Sequence, residues 1–451
     1  MKLSRALRVN APVKAAFVGA GGKTTTIFTL ARQLPGPVFV TTTTHISSEQ
    51  AQLGDRHIYL LPGEPVVGEL RIATKMQENV VVLTGPGAER ETGRQGGLTA
   101  DQLEGLRRYA EQAGDSLLIE ADGAKMKAIK APAAYEPVVP EWVDRVVVLA
   151  GLSALGKPLN DQVAHRPERL AQVTGLDMGD TITLETVIQM LSHPKGGLKD
   201  LPASARKTAF LNQNEPGRIN SEDLAALRSL LEKYDSVLIG QVVTQDEEDQ
   251  IAWCLEPIAG IILAAGGSRR FGRSKQLLTY DGKPMVRRVA ETALKSGLDP
   301  VVLVTGEDHE RVLEAVFDLP VQIVNNPDWR SGVSTSIQAG LRVLPERSAG
   351  AVFLLADQPQ IPAELIDRLL QSHASNQADI TAPYVGERRG NPVLFDRRLF
   401  AELNELHGDV GGRALFDRHP VHPVYWEDDS ILADIDTPED YDQFIKGRHE
   451  H

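Results

Sequence analysis

Short apolar runs alternate with amphipathic stretches along the whole chain. In the first half, Lys14–Val18, Val38–Thr42, Val80–Leu83, Ser116–Glu120, Arg145–Ala150, Thr208–Leu211 and Val237–Val243 read as strands. Thr24–Leu34, Ala100–Ala113 and Ser221–Tyr234 read as helices, the last opening with Ser221 as its N-cap. An acidic stretch, Asp246–Glu256, ends just before Pro257 and is expected to join two domains. The alternation then restarts. Strands are expected at Ile258–Leu263, Val301–Thr305, Val321–Val324, Ala351–Leu355 and Asp379–Ala382. Helices are expected near Pro284–Ser296, His309–Val316, Val333–Val343, Pro362–Ser375 and Pro438–Lys446. Alternation of this kind predicts mostly parallel sheets with helices on their faces. The expected fold class is α/β, with two doubly wound domains at residues 1–250 and 257–447. The tail Arg448–His451 is expected to fray.

Composition narrows the function classes. A chain of 451 residues suits two domains, and 42% hydrophobic residues supply a core for each. The net charge of −13 disfavours nucleic acid and anionic membranes as partners. One cysteine, Cys254, cannot form an internal disulfide or a thiolate metal cluster within this chain. No apolar run is long enough to span a bilayer. Met1–Pro12 is basic but lacks the apolar core of a secretion signal. A soluble cytoplasmic protein is expected.

The second domain carries three pieces of chemistry. Its first strand runs into Leu263-Ala264-Ala265-Gly266-Gly267-Ser268-Arg269-Arg270-Phe271-Gly272-Arg273-Ser274-Lys275. Glycines and a small serine let backbone N–H groups approach phosphate oxygens, while Arg270 and Lys275 neutralise their charge. Later, the strand through Leu355 ends at Asp357 and breaks at Pro359. Ligands of open α/β sheets gather at such strand ends. Finally, Ala433-Asp434-Ile435-Asp436-Thr437-Pro438 brings a late pair of acids before a helix. Mg2+ in triphosphate sites takes one or two carboxylates, and Asp357 with Asp436 makes that minimal set. Asp434 is the alternative second ligand.

These motifs, in this order, resemble a nucleotidyltransferase of the molybdenum-cofactor type, most nearly the cytidylyltransferases. The resemblance covers roughly Ile258 to Lys446. It implies a Rossmann-like nucleotidyltransferase domain whose Leu263, Ala264, Ala265, Gly266, Gly267, Ser268 and Gly272 grip CTP, with Arg270, Lys275 and Asp357 as catalytic residues. Ala265 in place of a further glycine is closer to the cytidine-using branch, and Phe271 stands where methionine is usual. Asn326–Ser336 resembles the stretch leading into a helix beside the nucleotide, with Ser334 as a ligand contact. Gly390-Asn391-Pro392 and Gly408–Arg413 resemble the acceptor side, carried by Asn391 and Asp409. The implied reaction moves CMP from CTP to the phosphate of a molybdopterin-type cofactor, releasing pyrophosphate.

The first domain has a different loop. Gly19-Ala20-Gly21-Gly22-Lys23-Thr24-Thr25 follows a strand and opens a helix, the context a phosphate loop requires. It is more compact than a full Walker A sequence. Gly19, Gly21, Gly22, Lys23, Thr24 and Thr25 are its expected nucleotide contacts, with Thr24 and Asp122 holding Mg2+. Thr41–Thr44 follows the second strand, and Leu117–Gly123 is a buried strand ending in acids. This P-loop-like half resembles the selenium-dependent molybdenum hydroxylase accessory family over about Ala15–Val243. The matching pieces include Glu120-Ala121-Asp122-Gly123-Ala124-Lys125, Lys130-Ala131-Pro132, Glu136-Pro137-Val138-Val139-Pro140 and His165-Arg166-Pro167-Glu168. The likeness implies a role in maturing a hydroxylase, with its apoenzyme as partner. Asn212-Gln213-Asn214-Glu215 departs from the guanine-reading Asn-Lys-x-Asp pattern, so no base is assigned. Two other readings fit the motifs: transfer to a sugar or polyol phosphate, and a carrier module without turnover.

Overall fold

Nine strands of the first unit pair into one sheet: Lys14–Gly19 (β1), Val38–Thr42 (β2), Arg56–Tyr59 (β3), Val80–Thr84 (β4), Ser116–Glu120 (β5), Arg145–Gly151 (β6), Arg206–Asn212 (β7), Ser236–Gly240 (β8) and Ile251–Leu255 (β9). This is seen in a computed structural model that describes residues 1–9, 12–68, 70, 78–86, 94–243, 250–266, 271, 274–435 and 437–447. The spatial order is β9-β8-β7-β6-β1-β5-β2-β4-β3. Every neighbouring pair is parallel except β8 with β9. Strands such as β2, β4, β5 and β8 are buried along their whole length, as helix-covered parallel strands must be. The helix Lys23–Gln33 turns Ile27, Phe28, Leu30 and Ala31 inward at helical spacing. They pack on Phe17 of β1, Val38 and Val40 of β2 and Leu118 of β5.

The chain divides into two units, Met1–Leu255 and Glu256–His451. In the second, Ile258–Ala264 (β10), Val301–Thr305 (β11), Gln322–Asn325 (β12), Gly350–Leu355 (β13), Ile380–Val385 (β14), Arg388–Arg389 (β15), Val393–Asp396 (β16) and Val421–Tyr425 (β17) form one sheet. Its order is β12-β11-β10-β13-β16-β14-β15, with β17 also on β14. Helices Met285–Lys295 and Ala363–Asn376 cover one face through Val289, Ala290, Leu365 and Ile366. Helix Val333–Arg342 covers the other through Ile337 and Leu341.

Several boundaries differ from expectation. The expected linker 246–256 contributes β9 to the first sheet, because Ile251 and Cys254 bury in that unit's core. Residues 244–249 lie outside the described ones, as does the tail 448–451. The expected strand Val237–Val243 stops at Gly240. The helix expected from Ser221 is capped by Asn220, whose side chain accepts the amides of Glu222 and Asp223. That helix ends at Leu227 and continues as a 3-10 turn to Glu232. The second sheet is mixed, since β16 runs antiparallel to both β13 and β14. Among the described residues no helix is long and apolar enough to cross a membrane.

Candidate nucleotide sites in the two units

In the first unit β1 lies between β5 and β6, so the loop after β1 meets the ends of both neighbours. Close backbone contact fixes its glycines. A Cβ on Gly19 would sit 2.2 Å from the Leu149 carbonyl oxygen, and one on Gly21 would sit 2.4 Å from the Gly151 nitrogen. Both positions, and Gly22, have positive φ. Asn212 at the end of β7 holds the loop from the side, its Nδ2 donating to the Gly21 carbonyl at 2.8 Å.

The loop amides are used differently from the expected phosphate cradle. Gly19 N donates to the Asp122 carboxylate at 3.0 and 3.1 Å, Ala20 N to Leu149 O, and Gly21 N to Lys127 O. The amides left for a ligand are those of the first helical turn, which have no intrahelical acceptor. Lys23 folds back, donating to Gly19 O at 2.7 Å and lying 3.2 Å from Asp122 Oδ1. Thr24 Oγ1 donates to Glu120 Oε2 at 2.9 Å and accepts from Gln50 Nε2. Thr25 is half-buried in the same turn.

Thr24 thus meets Glu120 rather than Asp122, with which the sequence paired it as a metal ligand. Asp122 is committed elsewhere: besides Gly19 and Lys23, its Oδ2 accepts from Lys130 Nζ at 2.8 Å. Lys130, 2% exposed, also donates to Gly123 O and to Glu136 Oε2, and Arg166 completes the chain with two bonds to Glu136. Three cations and three carboxylates therefore form one continuous network. Burial opposes the Lys23 ammonium, but Asp122 and Glu120 outweigh it and raise its pKa. Burial pushes the Glu120 carboxyl up. Burial also disfavours the Glu136 carboxylate, yet Arg166 and Lys130 bring its pKa down to about 2. His165 falls to about 4, through burial and then the neighbouring Arg166, Lys130 and Lys125. Glu120 enters the sequence reading only as one of the acids ending a buried strand, with no site role assigned to it. Its signal was its place as the last residue of an otherwise apolar buried strand.

In the second unit, Ala356 N bonds Leu263 O, which sets the turn after β13 beside the loop after β10. Gln276, buried, donates to Ala264 O at 3.2 Å and pins the segment that carries Lys275. Lys275 Nζ then lies 3.0 Å from Asp357 Oδ2. A cavity of about 460 Å3 opens here, lined by Leu263, Ala264, Ala265, Gly266, Lys275, Ser336, Asp357 and Asp409, with Trp329 and Arg330 at its side. Gln358, the residue after Asp357, donates to Asp434 Oδ1 at 3.2 Å; Asp434 is not among the residues lining the cavity. Gly267, Ser268, Arg270, Gly272 and Asp436 lie outside the described residues.

Two expected contacts fall differently. Ser334 is buried and gives its amide to Gly408 O, because Gly332 meets the Gly408 backbone so closely that a Cβ would stand 2.1 Å from it. The hydroxyl lining the cavity is that of Ser336, two residues on and held by Asn326 Nδ2 at 3.0 Å. Asn391 is half-buried before a cis Pro392 and lines neither this cavity nor the next. That second cavity, of about 370 Å3, shares Asp409 and adds Arg389, Arg413 and Phe416. The Arg389 guanidinium lies 3.7 Å from the Phe416 ring centre.

Comparison with known proteins agrees with this division. Residues 260–424 match the MobA-like NTP transferase domain family, and residues 15–168 match the YqeC protein family. A relative from Paenarthrobacter nicotinovorans named nicotine blue oxidoreductase is 34% identical over 192 residues, covering 40% of this chain and 93% of that protein. Purine catabolism protein PucB of Bacillus subtilis is 31% identical over 196 residues, covering 41% of this chain and 94% of its own. The uncharacterised protein YqeC of Escherichia coli is 29% identical over 208 residues, covering 45% of this chain and 76% of its own.

Proposed function

We propose, from the premise that the chain belongs to the MobA-like NTP transferase family in its second unit and carries a YqeC-family first unit, that it transfers CMP from CTP to the phosphate of a molybdopterin-type cofactor. The observation that carries this reading is the pair of adjoining cavities. One gathers the glycine-loop strand end, Lys275 and Asp357; the other offers Arg389 and Arg413 to an anionic acceptor; Asp409 stands on both. An acceptor phosphate is already ionised at neutral pH, so the site needs no strong general base. Its work is alignment and charge neutralisation. Lys275, with Arg270 from the loop, would take up charge on the departing pyrophosphate.

A divalent cation, Mg2+ by this reading, fits the donor set, because the Asp357 carboxylate opens onto the cavity and already pairs with a cationic group. Asp357 would hold it with Asp434 or Asp436, and when bound it would neutralise phosphate oxygens. In the first unit Thr24 and Glu120 would hold a cation with a nucleotide whose phosphates reach the first-turn amides. That unit would act in maturation of a molybdenum hydroxylase.

The test is pyrophosphate release from purified protein with Mg2+ and the molybdenum-loaded pterin, CTP being compared with GTP and ATP. Release with CTP that needs the pterin supports the proposal. Release with GTP alone would keep the reaction and overturn the base. Asp357→Ala should abolish release with unchanged folding, and undiminished turnover would remove the role given to that carboxylate. A second reading follows from the relative named an oxidoreductase. It predicts redox turnover of nicotine blue by the same preparation, with no pyrophosphate formed.

A further inference from the structure

The first unit has another cavity, of about 220 Å3, lined by Pro132, Arg169, Gln172, Val173, His193 and Lys195. None of Gly19–Thr25 contributes to it. Helix Pro167–Thr174 places Arg169, Gln172 and Val173 at i, i+3 and i+4, on one face. Arg169 is held by a bond from Nη1 to Pro132 O at 3.2 Å, which leaves the rest of its fork for a ligand. His193 has a defined tautomer in its neutral form. Its Nδ1 accepts the Lys195 amide at 3.0 Å, so the proton sits on Nε2 and that atom is a donor. The carbonyls at the preceding helix end are already engaged, Met190 O by Gly197 N and His193 O by Gly196 N. The cavity therefore collects a guanidinium, an ammonium, an imidazole N–H and a carboxamide. Among the described residues no aspartate or glutamate lines it, in a chain whose net charge is −13.

We propose that this cavity binds the phosphate group of a small phosphate monoester, separately from the nucleotide at the glycine loop. Arg and Lys together suit a tetrahedral oxyanion, and the volume far exceeds the roughly 10–15 Å3 needed by one water, leaving room for an organic portion. Val173 and Pro132 give that portion an apolar wall. The position fits the network described above. Pro132 lies two residues from Lys130, and Arg169 follows Arg166 by one helical turn, so the pocket shares its scaffold with the residues around Asp122.

The test titrates inorganic phosphate and glycerol phosphate into the full chain and follows phosphorus NMR line broadening. Saturable binding is expected. It should weaken at least tenfold in Arg169→Ala/Lys195→Ala, whose side chains are exposed and whose folding circular dichroism checks, and it should persist in Thr24→Ala. Tighter binding of the ester than of phosphate supports a monoester ligand; equal binding would assign the pocket to free phosphate. Unchanged affinity in the double variant, loss of binding in Thr24→Ala, or no saturable binding would overturn the proposal.

Discussion

Replacing Lys130 by methionine keeps most of the side-chain volume and removes one charge from the buried network. Lys130 donates at 2.8 Å to Asp122, at 2.7 Å to Gly123 O and at 2.9 Å to Glu136. After the change, two cations face three carboxylates in a site where Asp122 is 2% and Glu136 is 6% exposed. One acid must then take a proton or stay buried without its partner. Removing one member of a buried pair costs about 3–5 kcal/mol. For a unit of this size that lowers the midpoint by about 6–20 °C, at about 2–4 °C per kcal/mol. Calorimetry of the full chain measures it, with tryptophan fluorescence in urea as an independent probe. Adding Glu136→Gln to Lys130→Met should recover part of the loss, since the second change removes a charge that the first left unpaired. A shift below about 1 kcal/mol in the single variant would refute the reasoning, because an ordinary surface substitution costs that little.

Other outcomes follow from the same geometry. Glu120→Gln should weaken cation-dependent nucleotide binding by the first unit about tenfold while leaving second-unit transfer unchanged; equal affinity in a calorimetric titration would remove Glu120 from the site. Gly332→Ala forces a Cβ to 2.1 Å from Gly408 at a φ of +113°, so it should cost more than about 1 kcal/mol and raise the KM for the nucleotide, read from steady-state rates. Glu136 has a folded pKa of about 2, below its unfolded value, so its contribution is complete above the ordinary carboxylate range and disappears as pH falls toward 2. Glu136→Gln should accordingly flatten the acid limb of a stability–pH curve, and an unaltered limb would count against the pairing with Arg166 and Lys130.

The central parallel strands were legible because each is an apolar run of five to seven residues bounded by turn residues, as at Val301–Thr305 or Ser116–Glu120. The strands that escaped lack that signature. β3 reads Arg-His-Ile-Tyr and buries one side chain, while β16 has four residues directly after a proline. The loops announced themselves through glycine and lysine, but not what their amides would do. Gly19 N turning to Asp122 depends on a carboxylate 103 positions away. Ser334 and Ser336 are indistinguishable as letters, and only the close passage of Gly332 against Gly408 decides which one lines the cavity. Thr24 pairs with Glu120 because Asp122, two residues on and level with Gly19, is already taken up by the Gly19 amide, Lys23 and Lys130.

The Lys275–Asp357 contact carries a kinetic consequence. Without substrate, the ammonium stands guard over a carboxylate that the proposed divalent ion would need, and the two cations would compete for it. A stray ion must evict the lysine with nothing to offer it in return. A triphosphate arriving with its own ion would offer Lys275 new anionic partners and so free the Asp357 carboxylate. Occupancy should therefore be strongly synergistic: weak for either component alone and tight for the two together, an order of addition written into a single ion pair.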